Sequence, residues 1–239
     1  FNNNFEQKNG IDIYRSLIIP RRNSSGIRLF INYISFVLFG IFRVLTIREK
    51  FDKIFIYAPS PITVGFLGIF ASFIFRAKSY LWVHDLWPES VKDAGGINNR
   101  IILEIINFMT KTIYYFTDSI LVQSPSFKGY IINQGVVKSK LIYYPYYAES
   151  FYKRVTPPKK IKLLFPEGLN ILFAGNIGVA QSFDTILHSA KILAESINNF
   201  TFIILGEGRD KKRIQEEIKK IKIEKHFNFL GSHPPEEMS

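Results

Sequence analysis

The sequence contains no cysteine, and acidic residues are scarce in it. The absence of cysteine excludes disulfides, thiolate metal sites and cysteine nucleophiles, and it suits a reducing compartment. Lysine and arginine number 31 against 20 aspartate and glutamate residues, which gives a formal net charge of +11. That excess favours anionic partners such as nucleic acid, lipid head groups or phosphorylated substrates. An AT-rich genome that encodes lysine in place of neutral residues explains the charge equally well.

A recognisable beginning and end are also missing. The first residue is Phe1, no signal peptide is visible, and Pro234–Ser239 resembles the start of a helix that is cut short. We interpret the sequence as a fragment of a longer chain. Its 239 residues are enough for two domains, and the 47% of apolar residues exclude a disordered chain.

Long apolar runs are few. Residues 27–47 approach the ~20 apolar residues that a membrane-spanning helix needs, but they carry charge at both ends and include Asn32 and Ser35. A second run, at 62–75, is too short to span. The first run is therefore a buried helix, a helix in the membrane interface, or a true span, and its polar residues favour the first two.

What is present is a repeated pattern in the last third of the chain. Three apolar runs each end in glycine, at Asn170–Gly175, Phe200–Gly206 and His226–Gly231, and amphipathic helical stretches fill the two gaps. This pattern predicts a β-α-β-α-β unit with a parallel sheet. Because ligands bind outside the carboxyl ends of such strands, the glycines mark a predicted binding edge.

A similar alternation precedes it. Strands are predicted near 54–57, 79–83, 118–123 and 141–144, with a helix over 98–116 that carries Ile101, Ile105, Phe108, Thr112 and Tyr115 on one face. We therefore predict an α/β protein with two Rossmann-type, doubly wound parallel-sheet domains, both incomplete. The domains are expected at residues 1–150 and 169–239, with a linker at 151–168 and a cleft lined by the carboxyl ends of both sheets.

The loop at Phe173–Gln181 is the first candidate site. Gly175 and Gly178 allow backbone amides to approach a ligand, and a helix beginning near Ser182 or Phe183 offers free N–H groups to a phosphate. The spacing matches neither the dinucleotide-binding fingerprint nor a P-loop, so a tight turn without a ligand is the commoner explanation of this loop alone.

Two further loops follow the next strands. Gly206 and Gly208 suit a close backbone approach, and Arg209 could meet a phosphate oxygen, although a surface arginine is commoner there. Gly231 and His233 would border the same pocket. The presence of all three loops at one edge is what favours a site.

In the first half, His84 and Asp85 follow a predicted strand and are the candidate catalytic residues. Two interpretations of His84 remain open. It contacts a sugar or phosphate, or it is packed at the end of the strand. Adjacent strand residues point to opposite faces, so the pair alone is weak evidence. No metal-binding or hydrolase motif is present.

At these residues the chain resembles family 4 glycosyltransferases of the GT-B fold. The likeness is to bacterial enzymes of O-antigen, capsule and exopolysaccharide synthesis, including fucosaminyl- and fucosyltransferase-like members, and it runs from about Ile27 to the end. It is carried by Ala58–Pro61, Trp82–Ser90, Phe173–Gln181, Gly206–Gly208, and Leu230–Gly231 with the Pro-Glu-Glu that follows.

The resemblance implies transfer of a sugar from a nucleotide-sugar donor, with retention at the anomeric carbon and without a metal or other cofactor. Gly175, Asn176, Ile177 and Gly178 would face the donor phosphates, and the Gly206 and Gly231 loops would lie near the nucleoside. The acceptor, a polyprenyl-diphosphate-linked saccharide, would enter near His84. The protein would lie on the cytoplasmic face of the bacterial plasma membrane, against anionic lipid.

The chain departs from the family pattern at two donor positions. An arginine and a lysine grip the diphosphate in many members, where this chain has Asn176 and Gln181. Backbone amides and Arg209 would then carry more of the phosphate binding. The glutamate-rich motif and the acceptor loop of the family fall outside the sequence, so we expect this fragment to be inactive alone.

Two other classes remain open. One is a nucleotide-sugar epimerase of the same fold, or a non-catalytic sugar-nucleotide-binding protein. The other is a basic nucleic-acid-binding module, which the sequence disfavours because its aromatic residues fall inside apolar runs instead of alternating with lysine and arginine.

Overall fold

The structure is a computed structural model that describes residues 5–21, 26–95, 97–156, 165–234 and 237. Contacts divide the chain between Tyr146 and Tyr147 into unit 1 (residues 1–146) and unit 2 (147–239). The predicted linker over 151–168 and the predicted helix start over 234–239 lie partly outside the described residues.

Unit 1 contains an antiparallel hairpin and a parallel sheet. The hairpin was not predicted; its turn is Asn9-Gly10, where both residues have positive φ, as two-residue hairpin turns require. The sheet has four strands in the order β3-β4-β5-β6, and every neighbouring pair is parallel. The strands are β1 Phe5–Lys8, β2 Ile11–Tyr14, β3 Lys53–Ala58, β4 Lys78–Val83, β5 Ser119–Val122 and β6 Leu141–Tyr143.

The described part of unit 1 has five α-helices beside these strands. One face of the sheet, including Ile56, Leu81 and Ile120, is buried against helix residues such as Ile113 and Ile131. Ser124 caps the last of these helices, since its side chain accepts from the Ser126 N–H, and Pro125 begins the helix. The helices are α1 Gly26–Val44, α2 Val64–Phe75, α3 Glu89–Gly95, α4 Arg100–Phe116 and α5 Pro125–Asn133.

Helix α1 buries its polar residues and exposes its apolar ones. The Asn32 amide donates to the Ile19 carbonyl at 2.6 Å, and the Ile19 N–H donates to Ser35 Oγ at 3.0 Å. Both polar side chains therefore hold the extended segment that precedes the helix, while Phe30, Leu38 and other apolar residues face outward. Among the described residues, α1 is the one helix with the length and apolar composition to cross a membrane.

Helix α4 turns its predicted apolar stripe away from the core. Ile101, Ile105, Phe108 and Tyr115 are between 63% and 75% exposed, whereas the buried face is formed by Thr110, Ile113 and Tyr114. The stripe is on one face, as the spacing predicts, but that face is the outer surface of unit 1.

Unit 2 is a smaller α/β layer. Its sheet has the order β7-β8-β9 with parallel pairing throughout, and two helices pack on it through residues such as Phe183, Leu187 and Ile214. The α/β class and the parallel sheets are thus confirmed. Strand order is sequential in both sheets. The elements are β7 Leu169–Ala174, α6 Phe183–Ser196, β8 Phe200–Leu205, α7 Lys211–Lys220 and β9 Phe227–Gly231.

Candidate functional site

Three loops meet at the carboxyl edge of the unit 2 sheet, where the predicted glycines lie. Backbone hydrogen bonds join them: Gly175 N–H donates to the Leu205 carbonyl at 2.9 Å, and Gly206 N–H donates to the Gly231 carbonyl at 2.6 Å. Ile177 N–H donates to the Glu207 carbonyl at 2.9 Å. The loops therefore form one connected backbone surface.

Glycine is required at two points of this surface. A Cβ at Gly206 would lie 1.9 Å from the Gly175 carbonyl oxygen, and its φ of +143° is rarely adopted by other residues. A Cβ at Gly208 would lie 2.0 Å from the Ile177 carbonyl oxygen. These two glycines allow the second loop to pack directly against the first.

A cavity of about 460 Å³ opens between the loops. Of the predicted donor-binding residues, it brings together Gly175, Asn176, Gly206 and His233. The other predicted donor-binding residues are not part of its lining: Ile177, Gly178, Gln181, Gly208, Arg209 and Gly231. The remaining lining residues were not predicted: Tyr152, Ala174, Leu205, Glu207 and Ser232.

Three of the backbone amides that we predict to face the donor phosphates already have acceptors within the described chain. The N–H groups of Gly175 and Ile177 donate to neighbouring loops, and that of Gly178 donates to the Asn176 carbonyl at 3.1 Å. The Ile177 side chain is fully buried in the core, so this residue does not face the cavity. Of the residues 175–178, only Asn176 keeps its backbone N–H free of a protein acceptor within the described chain.

Several charged side chains of the second glycine loop and of α7 form ion pairs. Lys211 Nζ lies 2.6 Å from Glu207 Oε1, so Glu207, the one carboxylate among the described residues that line the cavity, has a cationic partner. Arg213 forms two hydrogen bonds to Asp210, at 2.7 and 2.8 Å, and a third to Asp184 at 2.9 Å. The hydrogen bonds from Arg213 lower the pKa of the Asp210 carboxyl. Arg209 is exposed and forms no ion pair within the described chain.

His84 and Asp85 lie at the carboxyl edge of the unit 1 sheet. His84 is only 6% exposed, and this burial lowers the pKa of its imidazole. Burial raises the pKa of the Asp85 carboxyl, while a hydrogen bond from Ser60 opposes that change. Burial thus favours the neutral form of the His84 imidazole, which lies among aromatic rings.

A second cavity, of about 510 Å³, lies beside the carboxyl-terminal half of α4. It is mainly apolar and includes Phe108, Tyr115 and Val137, with the lysines Lys111 and Lys140 at its border. Lys140 Nζ donates to the carbonyls of Tyr115 and Thr117, which end the helix. Across the described residues, no group of three or more His, Asp or Glu side chains is arranged to hold a metal ion.

Most of the residues that line the unit 2 cavity belong to a segment that matches a protein-family model. Residues 156–239 match the family model described as Glycosyl transferases group 1. The chain is also 26% identical, over 161 residues, to an uncharacterized glycosyltransferase, MJ1059, of Methanocaldococcus jannaschii. That alignment covers 65% of this chain and 38% of the relative.

Solved structures agree on the fold. Anabaena Alr3699/HepE in complex with UDP gives a TM-score of 0.61 at 18% identity, over 84% of this chain and 53% of that one. The pneumococcal O-GlcNAc transferase GtfA, in complex with UDP and GlcNAc, gives a TM-score of 0.58 at 12% identity. That comparison covers 96% of this chain and 46% of GtfA. The chain thus has the fold of GT-B glycosyltransferases and spans about half the length of these structures.

Proposed function

We propose that this chain forms the donor-binding part, and a portion of the acceptor side, of a glycosyltransferase. The enzyme would transfer a sugar from a nucleotide-sugar donor to a saccharide acceptor in cell-surface polysaccharide synthesis, with retention at the anomeric carbon. The observation that carries the proposal is the cavity between the three glycine loops, because all of its lining residues except Tyr152 lie within the residues that match the glycosyltransferase family model. The UDP in the related HepE and GtfA structures supports a nucleotide-sugar donor.

The cavity offers distinct groups to the two ends of such a donor. Asn176 supplies a free N–H and a side-chain amide, which suit phosphate oxygens. Ser232, which follows β9, supplies a hydroxyl for the nucleoside, and His233 lines the same side of the cavity with its ring nitrogens against Glu237 and the Leu230 carbonyl. Because Glu207 is paired with Lys211, it does not repel a diphosphate as a free carboxylate would. The proposed reaction requires neither a bound metal nor another cofactor.

The acceptor side of the proposal places a lipid-linked saccharide near His84 and the protein on the cytoplasmic face of a bacterial plasma membrane. The outward apolar residues of α1 and α4 support this location, since large exposed apolar patches are rare on monomeric soluble proteins. The net charge of +11 suits anionic lipid.

Calorimetric titration with UDP tests the donor site. Replacing Ser232 by Trp should fill the cavity and weaken UDP binding at least about tenfold, which corresponds to ~1.4 kcal/mol. Replacing the exposed Ser196, at the end of α6, by Trp is the matched control and should leave binding unchanged. Equal binding by both variants, or no UDP binding by the unmodified chain, would refute the donor site.

The reaction class needs a separate measurement. We would incubate a longer protein that contains this chain with a nucleotide sugar, with and without a lipid-linked saccharide. A glycosylated product that forms only when the acceptor is present supports sugar transfer. A changed nucleotide sugar in the absence of acceptor would instead indicate an epimerase.

A further inference from the structure

His84 is enclosed by three aromatic rings in unit 1. Its imidazole centroid lies 4.7 Å from Tyr57, 4.3 Å from Trp82 and 4.7 Å from Tyr146, each near the perpendicular arrangement that aromatic pairs favour. The rings of Tyr57 and Tyr146 are about half exposed, whereas Trp82 is buried. The imidazole is therefore held in one place by packing.

The two nitrogens of His84 differ in their surroundings. Nδ1 forms a hydrogen bond with the Tyr146 hydroxyl. Nε2 is buried and has no partner among the described residues. A buried polar atom without a partner is costly, by about 1–3 kcal/mol, so it calls for an explanation.

We infer that Tyr146 is a positioning residue, which fixes His84 as a neutral hydrogen-bond donor at Nε2. In a neutral imidazole one nitrogen carries the proton and the other accepts. A phenol hydroxyl is a better donor than a neutral imidazole N–H, and an imidazole nitrogen is a better acceptor than a phenol oxygen. The Tyr146 hydroxyl therefore donates to Nδ1, which leaves the proton on Nε2.

This assignment decides what His84 can do. With its proton on Nε2 and its lone pair occupied by Tyr146, the imidazole can donate to a ligand oxygen but cannot remove a proton from one. The class of ligand group is thus an acceptor oxygen, such as that of a sugar hydroxyl. This last step rests on the proposed function, whereas the tautomer does not.

The structure provides an internal reference for the opposite tautomer. His226 Nδ1 lies 2.9 Å from the Phe200 carbonyl oxygen, which can only accept. Its proton is therefore on Nδ1. Nitrogen-15 NMR of the histidine rings, at a pH at which both imidazoles are neutral, should place the His84 proton on Nε2 and the His226 proton on Nδ1. The chain has four histidines, and the variant His84→Gln identifies the signal of interest.

Two tyrosine variants separate hydrogen bonding from packing. Tyr146→Phe should shift the His84 Nδ1 resonance, because it removes the donor and keeps the ring. Tyr57→Phe is the matched control: its ring also contacts His84 at 4.7 Å, but no hydrogen bond joins them in the described structure, so the resonance should stay. A proton on Nδ1 in the unmodified chain, or equal shifts in both variants, would overturn the inference. Failure of UDP to bind would refute the proposed function and leave this result intact.

Discussion

Gly206 lies so close to Gly175 that a Cβ on Gly206 would be 1.9 Å from the Gly175 carbonyl oxygen. The Gly206 N–H also donates to the Gly231 carbonyl, so this one residue links the loops that follow all three strands of unit 2. A side chain at this position would push apart the loops that border the cavity.

Gly206→Ala should destabilise unit 2 by about 3 kcal/mol, because it combines a backbone clash with an unfavourable φ. The measurement compares two probes of unfolding. Both tryptophans, Trp82 and Trp87, lie in unit 1, so their fluorescence reports unit 1 alone, whereas circular dichroism reports both units. The substitution should lower the midpoint of an unfolding transition seen by circular dichroism and leave the midpoint of the fluorescence transition unchanged.

Gly129 provides the control for that substitution. It lies exposed within α5, and a Cβ there would meet nothing within 4 Å. Gly129→Ala should therefore stabilise unit 1 by about 0.5–1 kcal/mol, through the better helix propensity of alanine. A similar loss of stability from both substitutions would show that close loop packing is not the cause.

The strands of both parallel sheets could be predicted from short apolar runs, and in unit 2 the glycine at the end of each run also predicted the edge at which the site lies. It did not predict which amides remain free. The amides of Gly175 and Ile177 are used by Leu205 and Glu207, about 30 residues away in the chain, and no local pattern encodes that pairing. Tyr152 was missed for the same reason, since it reaches the cavity from the predicted linker.

Two other outcomes had signals in the sequence. The dipeptide Asn9-Gly10 is typical of tight hairpin turns and predicts the hairpin β1–β2. The orientation of α4 was open, because a helix with Ile101 and Phe108 on one side and Ile113 on another has two apolar faces, and periodicity does not decide which one packs against the sheet.

Asp210 should make the stability of unit 2 depend on pH. Its pKa is lowered in the folded state by Arg213, so its contribution is present above the unfolded pKa of about 3.9 and is lost as the pH falls through the lower folded value. Asp210→Asn should lower the melting temperature at pH 7 and reduce the loss of stability below about pH 4. An unchanged acid dependence in the variant would assign that dependence to other carboxyls.

Membrane binding should depend on the exposed face of α4. Phe108→Glu places a charge on the outer stripe and should reduce co-sedimentation with phosphatidylglycerol-containing vesicles by about tenfold, since it removes apolar area and adds a repelled charge. Ile192→Glu makes a comparable change on an exposed helix position of unit 2 and should have a small effect. Equal losses of vesicle binding by the two variants would indicate that general charge attraction, and not a defined surface on α4, holds the protein on the membrane.

Lys211 should affect donor binding through Glu207. Lys211→Ala removes the partner of the one carboxylate that lines the cavity, so a diphosphate would meet an unpaired negative charge. UDP binding should weaken about fivefold, close to 1 kcal/mol. Lys212→Ala changes the net charge equally, at an exposed neighbour with no ion pair among the described residues, and should leave UDP affinity nearly unchanged.

The double variant Glu207→Gln, Lys211→Ala then distinguishes the two ways in which Lys211 could act. If the lysine only neutralises Glu207, removal of both charges restores UDP affinity towards that of the unmodified chain. If Lys211 itself binds the phosphate, affinity stays low in the double variant. The paired geometry, with Lys211 Nζ at 2.6 Å from Glu207 Oε1, favours restoration, because the lysine is already held by the carboxylate before a ligand enters.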